Sequence, residues 1–280
     1  MSTRTAVVTG GTAGIGLHTA IGLAEAGFAV TVVGRDKVRG AAALERLNAA
    51  GSAATFIAAD LSSQDEVRGL AGTLRERGGI DVLVNNVGGL YPRRRVTGDG
   101  FEATFFLTHL SGYLLTELLL EDMVAAGRGR IVNTVSQGIV FADRTPFGQA
   151  DVAGPYYAMA VYGRAMVASL AWTHGLVARL AGTGVTVVAA APPGTRSDMG
   201  KSMRASMFPW PTRLVWPVIW FNVHRTPVAR AARMTLTAAT DKDIAHGTVL
   251  GIDADLGGAD NPETVAAVER LSRDLAPVRG

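Results

Sequence analysis

The chain has 280 residues, 48% of them hydrophobic and only 18% charged, with a formal net charge of +3. That length suits one α/β domain with a large core, and the small, scattered positive charge gives no electrostatic footprint for nucleic acid. There is no cysteine, which excludes disulfides, thiolate catalysis and cysteine metal sites, and no His/Asp/Glu cluster has metal-ligand spacing.

Residues 5–9 are apolar and β-branched, as a buried parallel strand requires. Met1 to Arg4 lead directly into that strand, so no signal or transit peptide is expected. No apolar run approaches the ~20 residues of a membrane span, and the expectation is a cytoplasmic protein with no integral membrane segment. Glycines follow the strand at once, and a helix with one apolar stripe begins at Ile15. Strand, glycine turn and helix N-terminus together make an anion site suited to a dinucleotide pyrophosphate, with Gly10, Thr12, Gly14, Ile15 and Gly16 around it.

The second strand, residues 29–33, ends at Gly34-Arg35-Asp36. Its tip faces the adenosine ribose in such a unit, where an acid selects the 2′-hydroxyl and an arginine accepts a 2′-phosphate. Arg35 stands where the acid would be, with Lys37 and Arg39 adding positive charge, so NADP(H) is expected rather than NAD(H). Further strands are expected at 53–58, 80–84, 130–135, 184–191 and 247–252. Helices are expected at about 36–50, 64–77, 100–126, 153–181 and 226–239. The alternation specifies a single α/β domain, a doubly wound parallel sheet with helices on both faces. Residues 196–225 hold three of the four tryptophans and three prolines just beyond a strand end, which predicts a substrate lid.

These pieces resemble the short-chain dehydrogenase/reductase family across nearly the whole chain. Thr9-Gly10-x-x-x-Gly14-x-Gly16 matches its glycine motif, and Asp60-Leu61 its adenine-contacting pair. Asp81 to Gly88 is similar to its Asn-Asn-Ala-Gly strand, with Asn85, Asn86, Val87 and Gly88 in those positions. Pro193-Gly194-Thr195 resembles the turn that contacts the nicotinamide carboxamide. Gly100-Phe101-Glu102, His109-Leu110, Leu114-Leu115-Thr116, Arg225-Thr226-Pro227 and a C-terminal helix at about 262–275 fit the retinol-dehydrogenase-like and WW-domain-oxidoreductase-like branch. The resemblance implies a Rossmann fold, and a homodimer or homotetramer formed through helices 100–126 and 153–181.

The family works with a serine, a tyrosine, a lysine four residues after the tyrosine, and an asparagine one helix away. Ser136 matches the serine and Tyr162 the tyrosine, 26 residues later. Met166 fills the lysine position and Thr108 the asparagine position. No lysine lies between Lys37 and Lys201 to replace it, and Arg164 points to another helix face because only i+3 and i+4 neighbours meet. Alcohol oxidation, which needs tyrosinate, should suffer most, whereas carbonyl reduction needs the neutral phenol. The resulting expectation is NADP(H)-dependent reduction of a carbonyl in a bulky, apolar small molecule. Two alternatives stay open: a non-redox cyclase, dehydratase or epimerase holding NADP(H) structurally, and a cofactor-binding protein with a dead site. His109 is expected in packing or near the cofactor, His174 on a helix surface, and Arg93, Arg94 and Arg95 in a solvated loop. Trp210, Trp216 and Trp220 are expected at the mouth of the pocket, where with Phe221 they suit a lid over an apolar substrate, docking to a membrane surface being the alternative.

Overall fold

Successive side chains on a strand point to opposite faces, so a strand covered on both sides must be apolar throughout. β1 (Thr5–Thr9) meets that requirement: Val7 packs into one core, Ala6 and Val8 into the other. A computed structural model describes residues 3–149, 151–152, 154–210 and 212–278. In it β2 (Ala29–Gly34), β3 (Thr55–Ala58), β4 (Val82–Asn85), β5 (Gly129–Thr134), β6 (Val185–Ala190) and β7 (Val249–Leu250) join β1 in one sheet. Every pairing is parallel and the order is β3-β2-β1-β4-β5-β6-β7, the doubly wound arrangement expected. The order reverses between β1 and β4, and ligands in such sheets bind beyond the strand ends at that point.

The helices are α1 (Gly14–Glu25), α2 (Lys37–Ala49), α3 (Gln64–Glu76), α4 (Ala103–Phe105), α5 (Ser111–Ala125), α6 (Ala158–Leu180), α7 (Asp198–Ser202), α8 (Trp216–Arg225), α9 (Val228–Thr240) and α10 (Pro262–Leu275). Apolar residues of α1, α2 and α9 fill one core, and those of α3, α4, α5, α6 and α10 fill the other. Asp36 starts α2 by accepting from the N–H groups of Val38 and Arg39 at 2.9 and 3.0 Å. Glu102 starts α4 in the same way, accepting from Thr104 and Phe105 at 3.0 and 2.7 Å.

α4 runs through a π turn at Phe106–Leu110 into α5, giving a rod from Ala103 to Ala125 with mean hydropathy 1.3. Contrary to the expectation that no segment is apolar enough to span a membrane, this one is by length and composition. Its apolar surface is used up within the fold, because 83% of the window is buried. α6 starts later than expected, after Gly154 at φ 80° and Pro155, and the loop further upstream is held by Arg164, whose residue is 1% exposed. The guanidinium donates to the carbonyls of Thr145, Pro146 and Gln149 at 3.2, 3.2 and 2.6 Å, between the rings of Phe105 and Phe147.

α10 lies along α6, one of the two helices through which the resemblance implies a second subunit. The two are tied to α5 by His109, which is buried, with Nε2 2.8 Å from the Ser272 hydroxyl and Nδ1 3.4 Å from that of Ser169. Packing, not the cofactor side, is therefore its place. Burial, reinforced by the Arg164 charge, pushes the His109 pKa down to about 3. An unfolded histidine titrates near ~6.5, so between these values the unfolded chain takes up a proton that the folded chain refuses. His109 thus contributes stability that is complete above pH ~6.5 and is lost as pH falls toward 3. Urea unfolding should show stability falling by up to about 1.4 kcal/mol per pH unit below ~6.5 from this group, and His109→Gln should flatten that slope. A His109→Gln protein with the parent's slope would contradict the assignment.

Candidate active site

A helix that begins without a side-chain cap leaves its first N–H groups free to meet an anion. α1 is such a helix: its N-cap residue is Ala13, which makes no capping hydrogen bond. The turn before it is clamped to β4. Thr9 Oγ1 accepts from the N–H groups of Asn86 and Val87 at 2.9 and 3.1 Å, and Asn86 Nδ2 donates to the Thr9 carbonyl at 2.9 Å. A Cβ on Gly16 would lie 2.4 Å from the Gly10 carbonyl oxygen and 2.5 Å from Asn86 Nδ2, so only glycine fits there.

This turn forms one end of a cavity of about 830 Å³ beyond the carboxyl ends of the strands. Gly10, Gly14, Ile15, Gly16, Asn86, Gly88, Ser136, Tyr162, Pro193, Gly194 and Thr195 all line it, so residues spread over most of the sequence converge. The uncapped helix end, the glycines of the turn and the wall shared with Asn86, Gly88 and Gly194 fit a dinucleotide. Thr195 is fixed by donating to the Thr226 carbonyl at 2.7 Å.

Some expected residues stand apart. Asn85 turns into the core, where its amide donates to Thr116 Oγ1 at 2.8 Å and Asn133 Oδ1 at 2.9 Å. Leu61 is buried, and Arg35 and Asp60 face each other across 4.0 Å at the tips of β2 and β3, both largely exposed. Thr12 lines a neighbouring cleft of about 320 Å³ with His18, Arg39, Arg46, Arg196 and Lys201. That basic cleft was not legible in the sequence, because its cations come from α2 and the segment after β6, with His18 of α1 beside them. Arg39 borders both spaces and pairs with Asp198 at 3.0 Å.

Ser136 follows β5 and caps a 3-10 turn, Gln137–Phe141, by accepting from the Gly138 N–H at 3.1 Å. Tyr162 comes from the first turns of α6 and is hydrogen-bonded to Ser136. Burial raises the pKa of the phenol above its usual value, and the Ser136 hydrogen bond works against that rise. The two elements can approach because residue 163 is glycine: a Cβ there would sit 2.6 Å from Ala142 N and 2.8 Å from the Gly138 carbonyl oxygen. One turn after Tyr162, Met166 is buried in the same cavity wall, and no lysine lines that wall among the described residues. Thr108 is engaged elsewhere, accepting from Gly89 N at 3.2 Å and donating to Gly89 O at 3.3 Å.

Residues 4–207 match the short chain dehydrogenase family. Human retinol dehydrogenase 13 is 31% identical over 246 residues, covering 85% of this chain and 73% of that protein. The chain belongs to the short-chain dehydrogenase family. It spans 63% to 74% of the length of the retinol dehydrogenases it matches, and its likeness is to that branch. Among solved structures, a Pseudomonas aeruginosa RhlG/NADP active-site complex has TM-score 0.69 at 28% identity, covering 92% of this chain and 97% of that one. An actinorhodin polyketide ketoreductase variant with NADPH has TM-score 0.66 at 26% identity, covering 91% and 97%. Membership in this oxidoreductase family makes the chain an enzyme with a nicotinamide cofactor.

The far wall of this dehydrogenase's cavity is apolar, with Phe141, Met159, Met199, Met203, Ile219 and Val223 on it. The three tryptophans expected at the mouth do not line it: Trp216 packs on Phe208 at 5.4 Å, while Trp210 and Trp220 are 69% and 48% exposed. The segment is anchored by Met207 and Phe208, both buried, so it is a packed roof with flexible methionine side chains on its inner surface. His174 bonds the Ala254 carbonyl at 3.0 Å at the surface of α6, and Arg93, Arg94 and Arg95 are exposed, as expected, with Arg94 paired to Asp151.

Gly163→Ala should push α6 away from the 3-10 turn that carries Ser136. Overpacking of this kind costs about 1–3 kcal/mol, so thermal unfolding should shift down while oxidoreductase activity falls further than that shift explains. Full activity in Gly163→Ala would show that the close approach does not position the pair.

Proposed function

We propose that this enzyme reduces the carbonyl of a bulky, apolar small molecule with NADPH. The observation that carries the reading is the Ser136–Tyr162 pair, its phenol buried and its serine half-buried, on a cavity wall whose other end is the uncapped turn of α1. The bound nicotinamide would supply the hydride. The first N–H groups of α1 would hold the pyrophosphate, and Asn86, Gly88, Pro193, Gly194 and Thr195 would flank the nicotinamide end. Arg35 and Arg39 would accept the 2′-phosphate, and the cluster of cations beside them supports a doubly charged group there. The similar structures whose descriptions include NADP or NADPH support the same choice.

The chain's own chemistry is a proton transfer. Ser136 donates to the carbonyl oxygen, and Tyr162 gives its proton to the oxygen as negative charge develops. Reduction needs a neutral phenol, and burial keeps Tyr162 neutral throughout the physiological range. Oxidation needs the phenolate, which a neighbouring cation would favour by about 1–3 pKa units, each worth tenfold in phenolate fraction. Met166 offers no such cation, so the site is biased toward reduction. The methionine-rich wall selects an apolar substrate of some size.

Fluorescence titration should find NADPH bound at least about tenfold tighter than NADH, in keeping with one charge-assisted contact. Equal affinities would remove the role given to Arg35. Tyr162→Phe should lower ketone reduction by roughly 10²–10⁴-fold with little change in thermal stability. Met166→Lys should raise alcohol oxidation and move its pH dependence to lower pH, because the phenol would ionise more readily. An oxidation profile identical in the parent and Met166→Lys would contradict the account of the missing cation.

A further inference from the structure

α8 has two unlike faces. Ile219 and Val223 point inward at the cavity wall, three and seven residues after Trp216, which packs on Phe208. The outer face carries Val218 at 62% and Phe221 at 56% exposure, flanked by Trp220 and by Leu214 (71%) and Val215 (50%) of the preceding turn. Trp210, a few residues earlier in the chain, is also exposed (69%). So many large apolar side chains exposed together mark an interaction surface.

The charges along this stretch of the chain are of one sign. Between Asp198 and Asp241 the chain has six cationic residues, Lys201, Arg204, Arg213, Arg225, Arg230 and Arg233, and no carboxylate. Arg225 lies over the Phe221 ring at 5.4 Å, which puts a cation on the apolar patch itself. His224 stacks on Trp220 at 4.4 Å. A second copy of the chain is disfavoured as occupant, since a two-fold contact would bring this patch against itself and oppose like charges. Tryptophan and phenylalanine on one helix face with arginines at its edge suit a headgroup boundary instead.

We propose that α8 and the turn before it dock on an anionic lipid surface, with Val218, Trp220 and Phe221 entering the headgroup region. The inner face of the same helix is cavity wall, so docking would bring the substrate entrance against the bilayer. This deepens the reading of the cavity as a site for apolar substrates, but the test needs neither substrate nor cofactor.

Co-sedimentation with vesicles of phosphatidylcholine alone, or of phosphatidylcholine mixed with phosphatidylglycerol, tests it. The protein should bind the mixed vesicles selectively, with a blue shift of tryptophan emission, and release as salt is added. Val218→Glu combined with Phe221→Glu should weaken partitioning by about tenfold or more, at unchanged thermal stability. Arg225→Gln should weaken it about fivefold, the share of one cation near such a surface. Binding that is absent, or equal on both vesicle types, would overturn the proposal. So would a double variant that binds like the parent, or light scattering that shows a dimer which the double variant dissociates. Ketone reduction by a protein that ignores vesicles would leave the reductase reading standing without this surface.

Discussion

The phenol of Tyr162 is buried against the Ser136 hydroxyl in a wall that holds no lysine, and the chemistry open to the site follows from that. A buried phenol with a hydrogen-bond donor and no cation stays protonated, which makes it an acid and a poor base. The rest of the fold serves this contact. β5 delivers Ser136, α6 delivers Tyr162, and the glycine at 163 lets the two elements come within backbone contact. Arg164, next in sequence, secures the loop between them from the opposite face of the helix.

The same economy appears around the departures from the family's pattern. Met166 fills with a flexible thioether the position that the resemblance gives to a lysine, so that wall is dry where it would otherwise be charged. Thr108 uses its hydroxyl to hold the backbone of Gly89, beside the strand end that borders the cofactor cavity. Neither side chain leaves a gap. On the proposed reading, a site has lost its proton relay yet kept its shape, and only the direction of the reaction is restricted.

Strand and glycine patterns were legible because burial on both faces of a parallel sheet demands continuous apolar runs, as at Val7 and Val8, and because the α1 turn admits no side chain at Gly16. Ser136 and Tyr162, which the family resemblance singled out, both line the cavity. What sequence could not give was direction. Asn85 and Asn86 are neighbours, yet one faces the core and the other the cavity, as strand alternation requires. The tryptophans of 196–225 were expected over the pocket because they follow a strand end, but α8 turns Ile219 and Val223 to the cavity and leaves Trp220 half exposed. The Ala103–Ala125 rod looked too polar to span a membrane because Thr104, Thr108, His109, Ser111 and Thr116 interrupt it; all are buried and most are hydrogen-bonded inside. Arg46, Arg196 and Lys201 carried no motif, and only the folded chain brings them beside the glycine turn.

The central claim is that hydride reaches a carbonyl at a site where Tyr162 acts without a neighbouring lysine. Mass spectrometry of the alcohol formed from a bicyclic apolar ketone such as 1-decalone, with NADPH deuterated at the nicotinamide C4 position, tests it directly. The account requires one deuterium at the carbinol carbon of the product, matched by loss of NADPH, and no such product from Tyr162→Phe. Product that carries no deuterium, or that forms while NADPH is not consumed, would contradict it.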